Sequence, residues 1–288
     1  METFKLRTDR HIGLLFQPRS GSHVLRAYLT ELTGWQDLGE FLNTGVVHLD
    51  VDVGNDGFTF VDPPNRGQPV PNLTSDKKRI ISGNNLDTLQ KMSDTGTHTI
   101  FGMPLHEIDV YPNLPNILAS RQDTQWIYLL RADVLYSLIS VTMCIKTEHW
   151  HNLSSTAGIR ESEPFPILIS GLEIELNKYI KSLEDVKQNF NNIDILYYEE
   201  FQFNINSLMK RFEGFPKKII SIPWSKFQGN HKDFISNIDE VEDFYEQFVN
   251  EHKEHFPQYF GKLPGVVIPA CQGRQPRDLS LKLSASAA

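Results

Sequence analysis

The stretch that most constrains this chain is residues 11–29, HIGLLFQPRSGSHVLRAYL. An apolar run, Ile12 to Phe16, leads into Gln17-Pro18-Arg19-Ser20-Gly21-Ser22-His23, and Val24, Leu25, Tyr28 and Leu29 follow at helical spacing. The pattern predicts a buried strand, a tight turn and a helix start. Such a unit aims backbone N–H groups and the positive end of a helix dipole at one point, where an anion can sit. Gly21 lets the backbone approach that anion, Ser22 is placed to cap the helix, and Arg19 adds a permanent charge with a planar fork of donors. The expected ligand is a phosphate or a sulfate.

A nucleoside-triphosphatase loop would read G-x-x-x-x-G-K-[ST], with the Lys on the β/γ-phosphates and the hydroxyl on Mg²⁺. No Lys follows Gly21 here, and the loop is shorter. A plain strand-to-helix connection with a capping Ser is the simpler alternative. The segment resembles the 5′-phosphosulfate loop of sulfotransferases, P-[KR]-[ST]-G-[ST]-[ST], through Pro18, Arg19, Ser20, Gly21 and Ser22. His23 departs from it, standing where that family usually carries Thr or Ser. Either its side chain meets the sulfate or the leaving phosphate, or only its backbone N–H does.

Further along, strand-like and helix-like patterns alternate. VVHLDVDV (46–53) is strand-like; after the strand at 12–16, THTIFGMPL (97–105), QWIYLLR (125–131) and IDILYYEEF (193–201) read as the second, third and fourth strands, and KKIISIP (217–223) as a candidate fifth. Helical spacing covers Leu86 to Met92, Val134 to Ile145, Leu168 to Phe190, a segment through Leu208 and Phe212, and Asp239 to His255. The alternation implies a mainly parallel sheet with ligands at the strand C-termini. The expected fold class is therefore α/β: a P-loop-like three-layer fold whose central, mainly parallel sheet of four to five strands is flanked by helices. One domain over 1–288 is expected, with a Pro/Gly/Asn-rich loop or lid insertion at 62–75 and an irregular tail at 261–288.

A second constellation is Arg131 at a strand end with Ser140 nine residues on. A dianionic phosphate suits an Arg fork and a hydroxyl donor. The pair is similar to the one with which sulfotransferases hold the 3′-phosphate of 3′-phosphoadenosine 5′-phosphosulfate (PAPS), at the spacing of the bacterial trehalose-type branch. Tyr198-Glu199-Glu200-Phe201 is similar to a strand end that borders the nucleotide in that family, which puts Tyr198 among the donor-binding candidates; taken singly, these residues read as an aromatic strand with a solvated acidic end. Glu40-Phe41, shortly after the first helix, resembles the G-x-P-x-E-F-F segment whose Glu is the base in the trehalose-type branch, although the Pro is missing and Gly39 precedes Glu40. His106, in Gly102-Met-Pro-Leu-His106, is the rival base, by likeness to a His of cytosolic sulfotransferases, and Met103 stands where a Lys often accompanies such segments. Either group is chemically adequate to take a proton from an acceptor hydroxyl.

Weaker patterns have plainer readings. Asp50-Val-Asp52 as a metal-binding D-x-D competes with a polar strand edge, and His149/His151 and His252/His255 have no further ligand completing a metal set. Arg274 and Arg277 sit in a tail that either covers the nucleotide or is solvated. The formal net charge of −8 advertises no nucleic-acid surface. Two cysteines, Cys144 and Cys271, make no disulfide framework, and no run approaches the ~18 apolar residues of a membrane span, so a cytoplasmic protein is expected.

The resemblance implies a sulfotransferase. The donor would be PAPS, the product adenosine 3′,5′-bisphosphate, and the acceptor a small molecule or carbohydrate. Arg19, Ser20, Gly21, Ser22, His23, Arg131, Ser140 and Tyr198 would bind the donor; Arg19 with Glu40 or His106 would act in catalysis, and no metal is expected. Two other classes fit parts of the sequence: a P-loop kinase using ATP and Mg²⁺, and a non-catalytic nucleotide-binding protein of the same fold.

Overall fold

The structure, a computed structural model, describes residues 4–5, 11–40, 50–54, 57–61, 94, 96–105, 118–147, 163–190, 193–213, 218–222 and 231–256. Its centre is a sheet of five strands, all parallel: β2 (His11–Phe16), β3 (Gln36–Asp37), β6 (Thr99–Pro104), β7 (Thr124–Leu130) and β8 (Asp194–Tyr197). They lie in the order β3-β6-β2-β7-β8. Two small ribbons accompany it: β1 (Phe4–Lys5) beside β9 (Phe212–Glu213), and the antiparallel pair β4 (Asp50–Gly54) and β5 (Gly57–Val61). Among the described residues, the helices are α1 (Ser22–Thr33), α2 (Val134–Thr147), α3 (Ile169–Asn189) and α4 (Ile238–Glu251).

The central strands are buried along their whole length, as a parallel sheet covered on both faces requires. Period-two alternation sorts their side chains between two cores. Ile12, Leu14, Phe16, Ile100, Ile127, Leu129 and Leu196 pack with Val24, Leu25, Tyr28 and Leu29 of α1. Leu15, Phe101, Met103, Trp126, Tyr128 and Leu130 face the other way, onto α2, α3 and α4. Three layers result, as the sequence pattern predicts. The registration is one-sided at α1: Leu25, Tyr28 and Leu29 are fully buried, and each such side chain contributes roughly 1.5–3 kcal/mol over its exposed state.

The strand order fixes where a ligand can enter. From β2 the chain moves out to β3 and β6 on one side, then crosses to β7 and β8 on the other. In an open parallel sheet, the crevice beyond the strand C-termini at such a reversal is the binding position. Here it lies between the loops that follow β2 and β7.

Four expectations need correction. Residues 218–222 form no strand, and the fifth strand of the sheet is Gln36–Asp37 instead. It pairs with β6 at the sheet edge, and two residues carry too little periodicity to read from sequence. The helix placed through Leu208 and Phe212 is a 3₁₀ segment, Ile205–Lys210, begun by the Asn204 side chain accepting from Asn206 N and followed by β9. The fourth strand stops at Tyr197, because Tyr198–Glu200 turn into 3₁₀ geometry. Finally, Ser22 is not the helix cap: Gly21 occupies that position and Ser22 is the first helical residue. The helix at 86–92, the loop at 62–75, the tail at 261–288, His106, His149, His151, Cys271, Arg274 and Arg277 lie outside the described residues.

Candidate functional site

The loop after β2 is built by two residues in the left-handed region, Arg19 at φ 66° and Gly21 at φ 86°. Gly21 has a second reason to be glycine. A Cβ there would lie 2.5 Å from Cδ2 of Tyr198, so the Tyr198 ring seals the loop from the β8 side. Gly21→Ala is expected to lose about 2 kcal/mol or more, from backbone strain and from displacing that ring. A thermal melt would show it, and an unchanged midpoint would mean that the loop is not held in this form.

Arg19 in the left-handed region is costly, by about 1–3 kcal/mol for a residue with a side chain, and such strain persists only where neighbours over-determine it. Here they do. Arg131 Nη1 donates to Arg19 O at 3.0 Å, Arg19 Nε donates to Ser140 Oγ at 3.1 Å, and Ser137 Oγ donates to Pro18 O at 2.9 Å. Strand β7 and helix α2 therefore grip the loop of β2. Arg131 is in turn clamped: its guanidinium carbon lies 4.4 Å from the centre of the Tyr136 ring and 4.8 Å from that of Tyr198. Burial pushes both phenols upward in pKa while the Arg131 charge draws them back, so at neutral pH both rings are uncharged stacking faces.

Two buried donors at this place have no protein acceptor. Ser20 is fully buried with its Oγ unsatisfied, and Arg131, 7% exposed, has an unsatisfied Nε. Ser20 follows the Arg19 carbonyl that accepts from Arg131 Nη1, at the start of a helix whose first internal bond is Leu25 N to Gly21 O at 3.1 Å. The N–H groups of Ser22, His23 and Val24 precede that bond and belong to the positive end of the helix dipole. Ser20 N–H, by contrast, is spent inside the turn on Gln17 O at 3.2 Å. An anion here would meet charge, dipole and orphaned donors together.

Glu40 reaches the same helix start by a short return of chain. Leu38 N donates to Ile100 O, extending the β3 pairing by one residue, and Gly39 at φ 72° then turns the backbone back. The turn is pinned twice, by Gly39 N donating to Asp37 Oδ1 at 2.9 Å and by Gly102 N donating to Gly39 O at 2.8 Å. The Glu40 carboxylate comes to lie 3.3 Å from His23 Nε2. The His23 side chain, half-exposed, is thus turned toward Glu40 and toward Arg26, whose Nη2 lies 2.8 Å from its Nδ1.

Sequence reasoning brought together Arg19, Ser20, Gly21, Arg131, Ser140 and Tyr198, and the structure places them around one loop. It gave no role to Ser137, Tyr136, Arg26 or Asp37, and read Glu199 only as part of a solvated acidic strand end. Glu199 accepts from both Ala132 N and Asp133 N, at 3.0 and 3.3 Å, and so shapes the loop beside Arg131. Its position inside the Tyr-Glu-Glu run was the available signal. Arg26 could have been found as a charge inside the apolar stripe of α1, three residues from His23. The weaker motifs sit elsewhere: Asp50 and Asp52 lie in the separate β4–β5 ribbon, and His255 Nε2 faces Glu254 at 3.2 Å. Among the described residues, no group of three or more His, Cys, Asp or Glu is placed to hold a metal ion. Nor is any described helix long and apolar enough to cross a membrane.

Fold and site together define a parallel α/β protein with a strand–loop–helix at the topological switch point of its sheet. No family model matches the chain, and no curated protein matches it in sequence. Among solved structures, it is similar to a sulfotransferase from Alicyclobacillus acidocaldarius, with a TM-score of 0.43 and 12% identity over 87% of this chain and 97% of that one. The fold assignment stands on the sheet order and the two packed faces themselves.

Proposed function

We propose that this chain is a sulfotransferase, moving a sulfuryl group from 3′-phosphoadenosine 5′-phosphosulfate to the hydroxyl or amine of a carbohydrate or small-molecule acceptor. The observation that carries the reading is the pair of buried donors without acceptors, Ser20 Oγ and Arg131 Nε, set where Arg19, Ser140 and the start of α1 converge. Anionic groups of a bound ligand would give those donors acceptors, and a 5′-phosphosulfate with a 3′-phosphate supplies two such groups.

The donor supplies a sulfuryl group activated by its anhydride link to phosphate. Arg19 and the first-turn N–H groups of α1 neutralise charge that grows on the bridging oxygen as the sulfur–oxygen bond breaks. Arg131 and Ser140 hold the 3′-phosphate, and Tyr198 walls the loop. Glu40 takes the proton from the acceptor hydroxyl as its oxygen bonds to sulfur, and adenosine 3′,5′-bisphosphate leaves. The loop carries no Lys-hydroxyl pair of the kind that holds Mg²⁺ on a nucleoside triphosphate.

Calorimetry on the purified protein tests the donor. Adenosine 3′,5′-bisphosphate is expected to bind at least tenfold more tightly than AMP or ATP, and without Mg²⁺. Equal affinity for AMP, or binding that requires Mg²⁺, would favour a kinase instead. A labelled-donor screen over sugars, lipids and phenols then identifies the acceptor class.

A further inference from the structure

The position that departs from the phosphosulfate-loop pattern, His23, belongs to a chain of four polar side chains that ends at Glu40. Arg26 is 3% exposed and lies on the His23 face of α1, three residues on. A buried guanidinium needs a counter-charge, and Asp37 supplies it, with Oδ1 at 3.6 Å from Arg26 Nε. The same Asp37 oxygen accepts from Gly39 N, so the group that balances Arg26 also holds the turn that delivers Glu40. At its other end Arg26 Nη2 meets His23 Nδ1 at 2.8 Å. Arginine can only donate, so Nδ1 must accept. The neutral imidazole then carries its proton on Nε2, the nitrogen that faces Glu40 Oε1 at 3.3 Å.

We propose that Asp37, Arg26 and His23 form a positioning relay for Glu40, in which the buried guanidinium sets the His23 tautomer and His23 holds the carboxylate oriented at the mouth of the anion loop. The inference rests on the reading of Glu40 as the base. His23 is itself unsuited to that task in this arrangement, because its one lone pair is engaged by Arg26. It acts through Glu40 and is a positioning residue. A Thr or Ser at 23 is too short to bridge Arg26 and Glu40, so the relay is particular to a loop ending in His.

The relay makes a substitution pattern that a merely structural His would not. Glutamine at 23 can accept from Arg26 through Oε1 and donate to Glu40 through Nε2; leucine can do neither. Transfer from ³⁵S-labelled donor to a panel of disaccharides and 4-nitrophenol is measured for wild type, His23→Gln, His23→Leu, Glu40→Gln and the Leu/Gln double variant, alongside calorimetry with adenosine 3′,5′-bisphosphate. His23→Leu is expected to lower kcat by roughly 10- to 100-fold with little change in donor KM, and His23→Gln to stay within about threefold of wild type. The double variant is expected to be no slower than Glu40→Gln alone, since residues acting as a unit are not additive. Donor-product binding should hold within about threefold throughout, because the His23 side chain is turned to Arg26 and Glu40. Full turnover in His23→Leu, or a double variant slower by the product of the single losses, overturns the relay while leaving the transferase reading intact. Unimpaired Glu40→Gln removes the base and the relay with it, and absence of transfer by wild type on the whole panel, with no preference for the bisphosphate, overturns both.

Discussion

Replacing Glu40 by Gln is expected to lower turnover by about 10²–10⁴-fold while leaving the binding of adenosine 3′,5′-bisphosphate nearly intact. The expectation follows from where the carboxylate sits. It is brought to the helix start by the Gly39 turn and meets His23 there, on the strand β3 side of the loop. Gln keeps the shape and cannot take the proton. Steady-state rates with labelled donor, read beside calorimetry, separate the two effects. A variant with near-normal turnover on an acceptor that wild type uses would shift the role to another group, of which His106 is the candidate in the sequence.

Arg131→Ala is expected to weaken adenosine 3′,5′-bisphosphate binding by about 2–4 kcal/mol, roughly 30- to 1,000-fold, the range for removing one side of a charged hydrogen-bonded pair. Two losses combine. The charge proposed to face the 3′-phosphate disappears, and Arg19 O loses the donor that helps hold its left-handed backbone. Arg131→Lys keeps a charge but cannot fill the slot between Tyr136 and Tyr198 or reach Arg19 O with the same fork, so most of the loss should remain. Calorimetry on both variants checks this; a Lys variant that binds as wild type does would reduce Arg131 to a point charge.

Much of the architecture was legible in the chain because burial leaves a periodic imprint. Fully apolar strands such as Ile12 to Phe16 and Trp126 to Leu130 are possible only in a sheet covered on both faces, and the stripe through Leu172, Leu176, Tyr179, Leu183 and Val186 is a helix face seeking a core. Elements too short to carry a period were the ones misread. Gln36–Asp37 joined the sheet through backbone pairing with β6, whatever its side chains, and 218–222 stayed irregular despite an apolar run. Likewise the order β3-β6-β2-β7-β8 is a fact of packing and not of any segment.

By itself, the sequence determined the local devices: the strand–loop–helix with its cationic Arg19 and permissive Gly21, and the Arg131/Ser140 spacing, because turn geometry, charge and helix periodicity are properties of neighbouring residues. Only the tertiary structure decided what those devices face. Arg131 and Ser140 lie over 110 positions from Arg19 yet share hydrogen bonds with it, since β2 and β7 are adjacent strands. The departure at His23 gained its meaning the same way. Its partners, Arg26 on its own helix and Glu40 beyond a two-residue edge strand, meet it because Asp37 and Gly39 fold the chain back against α1, a long-range arrangement that no local pattern encodes.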